Sequence, residues 1–190
     1  MRLVRTGDLR ILDFDTESRP LSYLGQDFTT ADITAIAACW TDSRDVQVWA
    51  QTKDDRSRWS MLRGFAKLYG EADIITGHFC IRHDLPRLNA MMIEAELPPL
   101  GPKMVSDTFT HLVSLQGISK SQENLGEMFG VDAPKVGMST PKWRKANRLL
   151  KSGVEHSIER VCGDVIQHIE LRNALIARGL LRSPVLWRPR

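Results

Sequence analysis

The segment ILDFDTESRP, residues 11–20, carries the pattern from which both the architecture and the chemistry of this chain follow. Its apolar residues, with Leu9 before them, are spaced as in a strand that is buried on both faces. Such strands rarely carry carboxylates, because an unpaired buried charge is very costly. Asp15 and Glu17 lie two apart and therefore project from the same side of an extended backbone. This pair predicts a divalent-cation site; the alternative is that Asp15 begins a turn and Glu17 lies on the surface.

Length and composition are those of an ordinary globular domain, with 190 residues, 42% of them hydrophobic and 26% charged. No segment has the length of a membrane span, and the first residues lack the apolar core of a signal peptide. The three cysteines are odd in number and lack the spacing of metal ligands, which favours free thiols in a reducing compartment. We therefore expect a cytoplasmic protein without a membrane partner.

The net charge of +3 conceals an uneven distribution. Residues 135–190 contain 12 Lys/Arg and 4 Asp/Glu, a balance of +8, whereas residues 1–134 have a balance of −5. An acidic body with a basic carboxyl-terminal part suits a protein that binds cations in one place and phosphates in another. Solvated helices commonly show the same imbalance.

Periodicity predicts three strands followed by alternating helices and strands, and then helices to the end of the chain. We expect one domain over residues 1–180 and a basic tail over 181–190. The predicted strands are residues 10–15, 32–40, 45–50, 73–77 and 103–106. The main predicted helices are residues 55–69, with Asp54 or Asp55 as the cap, 85–94, 124–129 and 154–178.

Two further acidic residues occur at informative places. Asp84 follows a strand that enters a Gly77-His78 turn, and it stands where the next helix starts. An Asp at such a position is most often a helix cap. Asp164 lies in the last helix, beside the apolar positions Val161 and Val165. Most such residues lie at the edge of the apolar stripe, paired or solvated.

Taken in order, these signals resemble the motifs of the DEDD superfamily of 3′–5′ exonucleases, the DnaQ-like group with the ribonuclease H-like fold. The resemblance covers about residues 10–178. Asp15-Thr16-Glu17 is similar to the first motif, the stretch from Gly77-His78 to Asp84-Leu85-Pro86 to the second, and Asp164 to the third. It implies an α/β domain with a five-stranded mixed sheet, flanked by helices, whose second strand is antiparallel.

The resemblance also implies a reaction and its cofactors. The expected activity is hydrolysis of phosphodiester bonds from a free 3′ end of DNA or RNA, with two Mg²⁺ or Mn²⁺ ions as cofactors. Asp15 would bridge both ions, Glu17 and Asp164 would hold the ion that activates water, and Asp84 would help to hold the other. Hard carboxylate oxygens are the ligands that such ions prefer.

The chain departs from the family pattern at several positions. Phe79 replaces the usual Asn after Gly-His, and His83 replaces the usual Phe before the second-motif Asp. The family carries a catalytic His five residues, or a Tyr four residues, before its last Asp, where this chain has Glu159 and Arg160. Three interpretations follow: His156 supplies the base through a loop, metal-bound hydroxide suffices, or the enzyme is slow or inactive.

A run of cations around one aromatic residue precedes the last helix and predicts contacts to single-stranded nucleic acid. The candidate residues are Lys142, Trp143, Arg144, Lys145 and Arg148. The alternative is a solvated amphipathic helix with its Trp packed inward. Expected partners are single strands or 3′ ends, together with replication or repair proteins. The rival functions are a binding module of the same fold with weak or no turnover, and a structure-specific endonuclease.

Overall fold

A computed structural model describes residues 9–20, 31–133 and 136–189 of the chain. The expectation of no signal peptide concerns residues 1–8, which lie outside this range. Within it, no helix is both long enough and apolar enough to cross a membrane. The strands are β1 (Ile11–Pro20), β2 (Ala31–Trp40), β3 (Gln47–Ala50), β4 (Ile74–Gly77), β5 (Lys103–Asp107) and β6 (Val185–Trp187). The helices are α1 (Asp55–Glu71), α2 (Asp84–Glu94), α3 (Thr108–His111), α4 (Gln122–Phe129), α5 (Thr140–Asn147) and α6 (Lys151–Ala177).

The strands form one mixed sheet in the order β3-β2-β1-β4-β5-β6. As predicted, β2 is antiparallel to its neighbours, and β4 and β5 continue parallel to β1. The sheet has six strands, however, so the expectation of five was wrong. Val185–Trp187, in the segment expected to be a tail, pairs antiparallel with β5, because the outer edge of that strand offers unpaired backbone groups.

Helices cover both faces of the sheet. Leu12 and Phe14 of β1 pack with apolar residues of α1 and α2, such as Phe65 and Leu88. On the other face, α6 packs against β2. Because side chains alternate along a strand, the residues of β1 between those apolar positions point toward α6. The sheet is therefore buried on both sides, as its sequence predicted.

Several helix boundaries follow their capping residues. The side chain of Asp54 accepts a hydrogen bond from the Arg56 amide at the start of α1, and Gly130 ends α4 in the left-handed conformation. Other boundaries differ from the prediction. Helix α1 ends at Glu71, two residues later than expected, α4 begins at Gln122, two residues earlier, and α6 begins at Lys151, three residues earlier.

Helices α5 and α6 cross very closely at Gly153. A β-carbon added there would lie 2.2 Å from the backbone carbonyl carbon of Lys145, which no real side chain tolerates. The absent side chain therefore lets the basic helix α5 lie directly against the first turn of α6.

Candidate metal centre

The pairing of β1 with β2 points the acidic residues of β1 toward α6. Asp15 is opposite Ala37 and Glu17 is opposite Ala35 in the antiparallel register. Both alanines belong to the core that β2 forms with α6. Their small side chains permit close approach of the helix, and this approach brings Asp164 of α6 to the acids of β1.

Three carboxyl groups meet at this place. One oxygen from each of Asp15, Glu17 and Asp164 lies within 4.8 Å of the others, and we call these three residues the carboxylate cluster. Glu17 and Asp164 are buried, and Asp15 is half-buried. Three converging carboxylate oxygens are a donor set that fits a hard divalent cation such as Mg²⁺ or Mn²⁺.

A bulge in the β1–β2 ladder adjoins the cluster. The register shifts between Glu17 and Ser18 and passes over Thr34, whose hydroxyl donates to the Glu17 carbonyl at 3.2 Å. Bulges bend a strand and redirect its side chains. Beyond Asp15, therefore, β1 continues as a bent strand to Pro20, where the sequence predicted a loop.

Asp84 adjoins the cluster from the other side of β1. It is the first residue of α2, and the cap position belongs to His83, so the interpretation of Asp84 as a helix cap was wrong. Instead, its carboxylate accepts a hydrogen bond from the Thr16 hydroxyl. His83 Nδ1 lies 3.4 Å from the same carboxylate. Thr16, in the middle of the first motif, was not singled out by its sequence pattern and serves to position Asp84.

The cluster is electrostatically unfavourable when all its members are ionised. Burial raises the pKa of Asp15 well above its usual value, and the negative charges of Asp84, Asp164 and Glu17 raise it further. The backbone amide of Thr16 opposes this shift. The arrangement therefore favours binding either a proton or a cation.

Arg160 of α6 contacts two members of the carboxylate cluster. Its Nε donates to Glu17 Oε1 at 2.5 Å, one terminal nitrogen donates to the Val136 carbonyl at 2.8 Å, and the other lies 3.6 Å from Asp164 Oδ2. Arg160 stands four residues before Asp164, where the exonucleases that the chain resembles carry a Tyr. The sequence showed the substitution but gave no sign that the new side chain would bind the acids.

His156 does not have the setting that its proposed role requires. A loop returning it toward Asp164 would need α6 to start late, but the helix already includes it from Lys151 onward. Eight residues along a helix correspond to about 12 Å. His156 lies 3.9 Å from Glu159, which is largely exposed.

His168 of α6 is a buried core residue whose two ring nitrogens both have partners. Its Nδ1 lies 2.8 Å from both carboxylate oxygens of Asp13, and its Nε2 lies 2.9 Å from the Thr108 hydroxyl. Burial raises the pKa of Asp13, and the contact with His168 opposes that shift. Asp13 was missed by the sequence analysis, although it precedes Asp15 in the same alternating series.

The predicted nucleic-acid-binding residues lie on or just after α5. Arg144, Lys145 and Arg148 are exposed, whereas Lys142 and Trp143 are half-buried. The Trp143 ring lies 5.4 Å from the guanidinium carbon of Arg160, so one side chain separates it from the carboxylate cluster. A further contact joins α5 to β1, since Arg19 donates to the Asn147 carbonyl at 3.2 Å.

A known structure shares this fold. The chain superposes on a family B DNA polymerase from the hyperthermophilic archaeon Pyrobaculum calidifontis with a TM-score of 0.69 and 20% sequence identity. The match covers 90% of this chain and 25% of the polymerase chain, so the present chain spans about a quarter of that protein's length. At this identity the likeness establishes the fold alone. No protein-family model matches the chain, and no curated protein matches it.

Proposed function

We propose that this protein is a metal-dependent 3′–5′ exonuclease of the ribonuclease H-like, DnaQ-like group. The observation that carries the proposal is the convergence of Asp15, Glu17 and Asp164, whose carboxylate oxygens lie within 4.8 Å of one another. Merely binding a nucleic acid does not require buried acids, which repel phosphates. A site that hydrolyses a phosphodiester does require them, because they hold the cations that the reaction uses.

The residues of the site take the roles that the resemblance implies. Asp15, Glu17 and Asp164 would hold one Mg²⁺ or Mn²⁺ ion, and Asp15 together with Asp84 would hold a second. Ions held by these residues would supply an activated water and stabilise the leaving oxygen. The Thr16 hydroxyl fixes the carboxylate of Asp84 in place.

The surroundings of the site support a nucleic-acid substrate. Helix α5 presents exposed cations next to the carboxylate cluster, and Trp143 lies between the two regions. Cations that follow a phosphate backbone, with an aromatic ring for a base, are typical of single-strand binding. The protein of similar fold is a DNA polymerase, which favours DNA as the substrate, with RNA as the alternative.

The test uses a single-stranded oligonucleotide labelled at its 5′ end and, in parallel, at its 3′ end. In Mg²⁺ or Mn²⁺, we expect the 5′-labelled strand to shorten stepwise and the 3′ label to be released first as a mononucleotide. Asp15→Asn is the matched control, since it changes one oxygen ligand to an amide and should abolish the ladder. Products cut internally would instead indicate an endonuclease of the same fold.

A second candidate is a nucleic-acid-binding module with little or no turnover. It is favoured by one observation: an Arg that binds the acidic residues occupies the position where the similar exonucleases have their catalytic Tyr. In the same assay, this candidate predicts a strand that is bound but not shortened. Binding that is retained in Asp15→Asn, without degradation by the wild type, would replace the exonuclease proposal by this one.

A further inference from the structure

Two of the three guanidinium nitrogens of Arg160 face the carboxylate cluster, and the third has a backbone partner. Nε and one terminal nitrogen face Glu17 and Asp164, and the remaining nitrogen donates to the Val136 carbonyl. The side chain is mostly buried, with 16% of its surface exposed. A buried guanidinium in such contacts is a fixed charge, because Arg remains protonated in proteins.

This position makes Arg160 a competitor for the ligands of a divalent cation. Two of the three cluster carboxylates already face its positive charge, at 2.5 Å for Glu17 and 3.6 Å for Asp164. A divalent ion on the same oxygens would repel the guanidinium at close range. Charge-assisted hydrogen bonds to carboxylates are among the strong ones, so their loss opposes binding of the ion.

Arg160 also has contacts that do not involve the acids. The Val136 carbonyl accepts one of its N–H groups at 2.8 Å, and the Trp143 ring lies 5.4 Å from its guanidinium carbon. Aromatic faces stabilise cations. These contacts offer the guanidinium a place next to α5 when it leaves the carboxylates.

We propose that Arg160 is an internal counter-cation of the site: it neutralises Glu17 and Asp164 in the metal-free protein and gives up these contacts when a divalent ion binds. This inference rests on the proposed metal-dependent function. Arg160 thereby lowers the affinity for the ion and sets the concentration at which the site is loaded. It acts through the carboxylates and is a positioning residue.

The first test measures Mn²⁺ binding by isothermal titration calorimetry in the absence of nucleic acid. Arg160→Gln removes the competing charge and should bind Mn²⁺ about tenfold or more tightly than the wild type. Arg160→Lys keeps a charge at the site and should stay close to the wild type. Arg178→Gln is the matched control, because it removes one exposed cation at the far end of α6 and should change the affinity by less than about threefold.

A second measurement uses the wild type alone, in case Arg160→Gln does not fold without metal. The Nε–H signal of Arg160 is identified in a nitrogen-15 NMR spectrum by its absence from that of Arg160→Lys. It should shift as diamagnetic Mg²⁺ saturates the site. No shift at saturation would show that the guanidinium keeps its partners, and the inference would be overturned.

The outcomes separate this inference from the function on which it rests. If Asp15→Asn loses Mn²⁺ binding while Arg160→Gln binds like the wild type, Arg160 does not compete and only the inference fails. If neither the wild type nor Arg160→Gln binds Mn²⁺ at millimolar concentrations, the metal-dependent function is rejected together with it. Tighter binding in Arg160→Gln, lost again in the Asp15→Asn/Arg160→Gln double variant, supports both.

Discussion

At Asp15, the requirements of stability and of the proposed chemistry oppose each other. The residue is placed among three other carboxyl groups, and the pKa of Asp15 is raised by burial and by their charges. Folding therefore favours its protonated form, and ionisation at neutral pH costs stability in the metal-free protein. A cation bound to the same oxygens would remove this cost.

Asp15→Asn should consequently be more stable than the wild type in EDTA at neutral pH. Because the pKa of Asp15 is higher in the folded than in the unfolded state, proton binding to Asp15 stabilises the fold. This contribution is complete below the pKa that Asp15 has in the unfolded state. That contribution is lost as the pH rises through the folded pKa. We expect Asp15→Asn to lose less stability over this range and to melt about 2–4 °C higher at pH 7.5, which corresponds to about 1 kcal/mol. Thermal melts between pH 4 and 8 measure the effect, and parallel curves for the two proteins would contradict it.

Phe79 has an unusual backbone conformation for its residue type. Its φ of 63° lies in the left-handed region, where Asn is tolerated much better than Phe. The family that the chain resembles usually has Asn at this position. Here the ring of Phe79 packs edge-on against Phe109, with centroids 4.7 Å apart, and this contact compensates for the strained backbone.

Two substitutions at this position should differ in stability. Phe79→Asn relieves about 1–2 kcal/mol of backbone strain and loses an aromatic pair of similar value, so we expect it to stay within about 1 kcal/mol of the wild type. Phe79→Val loses the pair and keeps the strain, and we expect a loss of about 2 kcal/mol or more. Urea unfolding measures both, and equal stabilities for the two variants would contradict this account.

At the scale of single residues, the sequence indicated where a residue lies in the fold better than it indicated which residues it contacts. Asp54 was expected as a possible cap of α1, and its side chain does accept from the Arg56 amide. Asp84 was recognised from its motif. The residues next to it in the sequence did not indicate its hydrogen bond from Thr16, which is 68 positions away. The contacts of Arg160 depend on the approach of α6 to β1, so no local pattern could reveal them.

Among the secondary-structure elements, β1 shows why a boundary prediction fails near a candidate site. The polar residues from Asp15 onward predicted the end of the strand, but the strand continues to Pro20. Its acids are tolerated because α6 supplies Arg160 and His168 as partners. Tertiary contacts thus stabilise a strand that its local sequence does not favour.

Helix α5 should provide the salt dependence of nucleic-acid binding. Each cation that contacts a phosphate of a single strand contributes about 0.7 to the slope of log K against log salt. Lys142→Ala/Arg144→Ala should therefore lower the magnitude of that slope by about 1.4. Fluorescence anisotropy at several salt concentrations, with Asp15→Asn in both backgrounds to prevent degradation, measures it.

The control for this prediction carries the same change in charge on the opposite face of the sheet. Arg63→Ala/Lys67→Ala alters two exposed cations of α1, which packs against the side of the sheet away from α6. Its slope should match that of the unchanged protein. Equal slopes for all the proteins would show that α5 is only a solvated helix, the alternative left open by its sequence.

For the whole molecule, the alternation of predicted strands and helices gave the correct class of fold, a mixed sheet flanked by helices. It did not give the sixth strand. Strand β6 has only three residues, two of them exposed, and it pairs with β5 about 80 positions earlier in the chain. So short a segment has a weak local signal, and its position depends on an edge that only the assembled sheet provides.

Cation binding should stabilise the entire domain, since the cluster joins β1 to α6. At 100 times its dissociation constant, a ligand adds about 2.7 kcal/mol, or roughly 5–10 °C in melting temperature for a domain of this size. Differential scanning fluorimetry across millimolar Mg²⁺ and Mn²⁺ measures the rise. Asp164→Asn should show little of it, and an unchanged wild-type melting temperature would count against the site.

The crossing at Gly153 has a consequence for how the molecule tolerates sequence change. The spacing between a cationic surface and a set of acids depends here on one missing methyl group, because any β-carbon would collide with the Lys145 backbone. A side chain at position 153 would force the two helices apart and carry the cations of α5 away from the carboxyl groups. The distance between the cationic helix and the carboxylate cluster is thus set by a residue that belongs to neither of them.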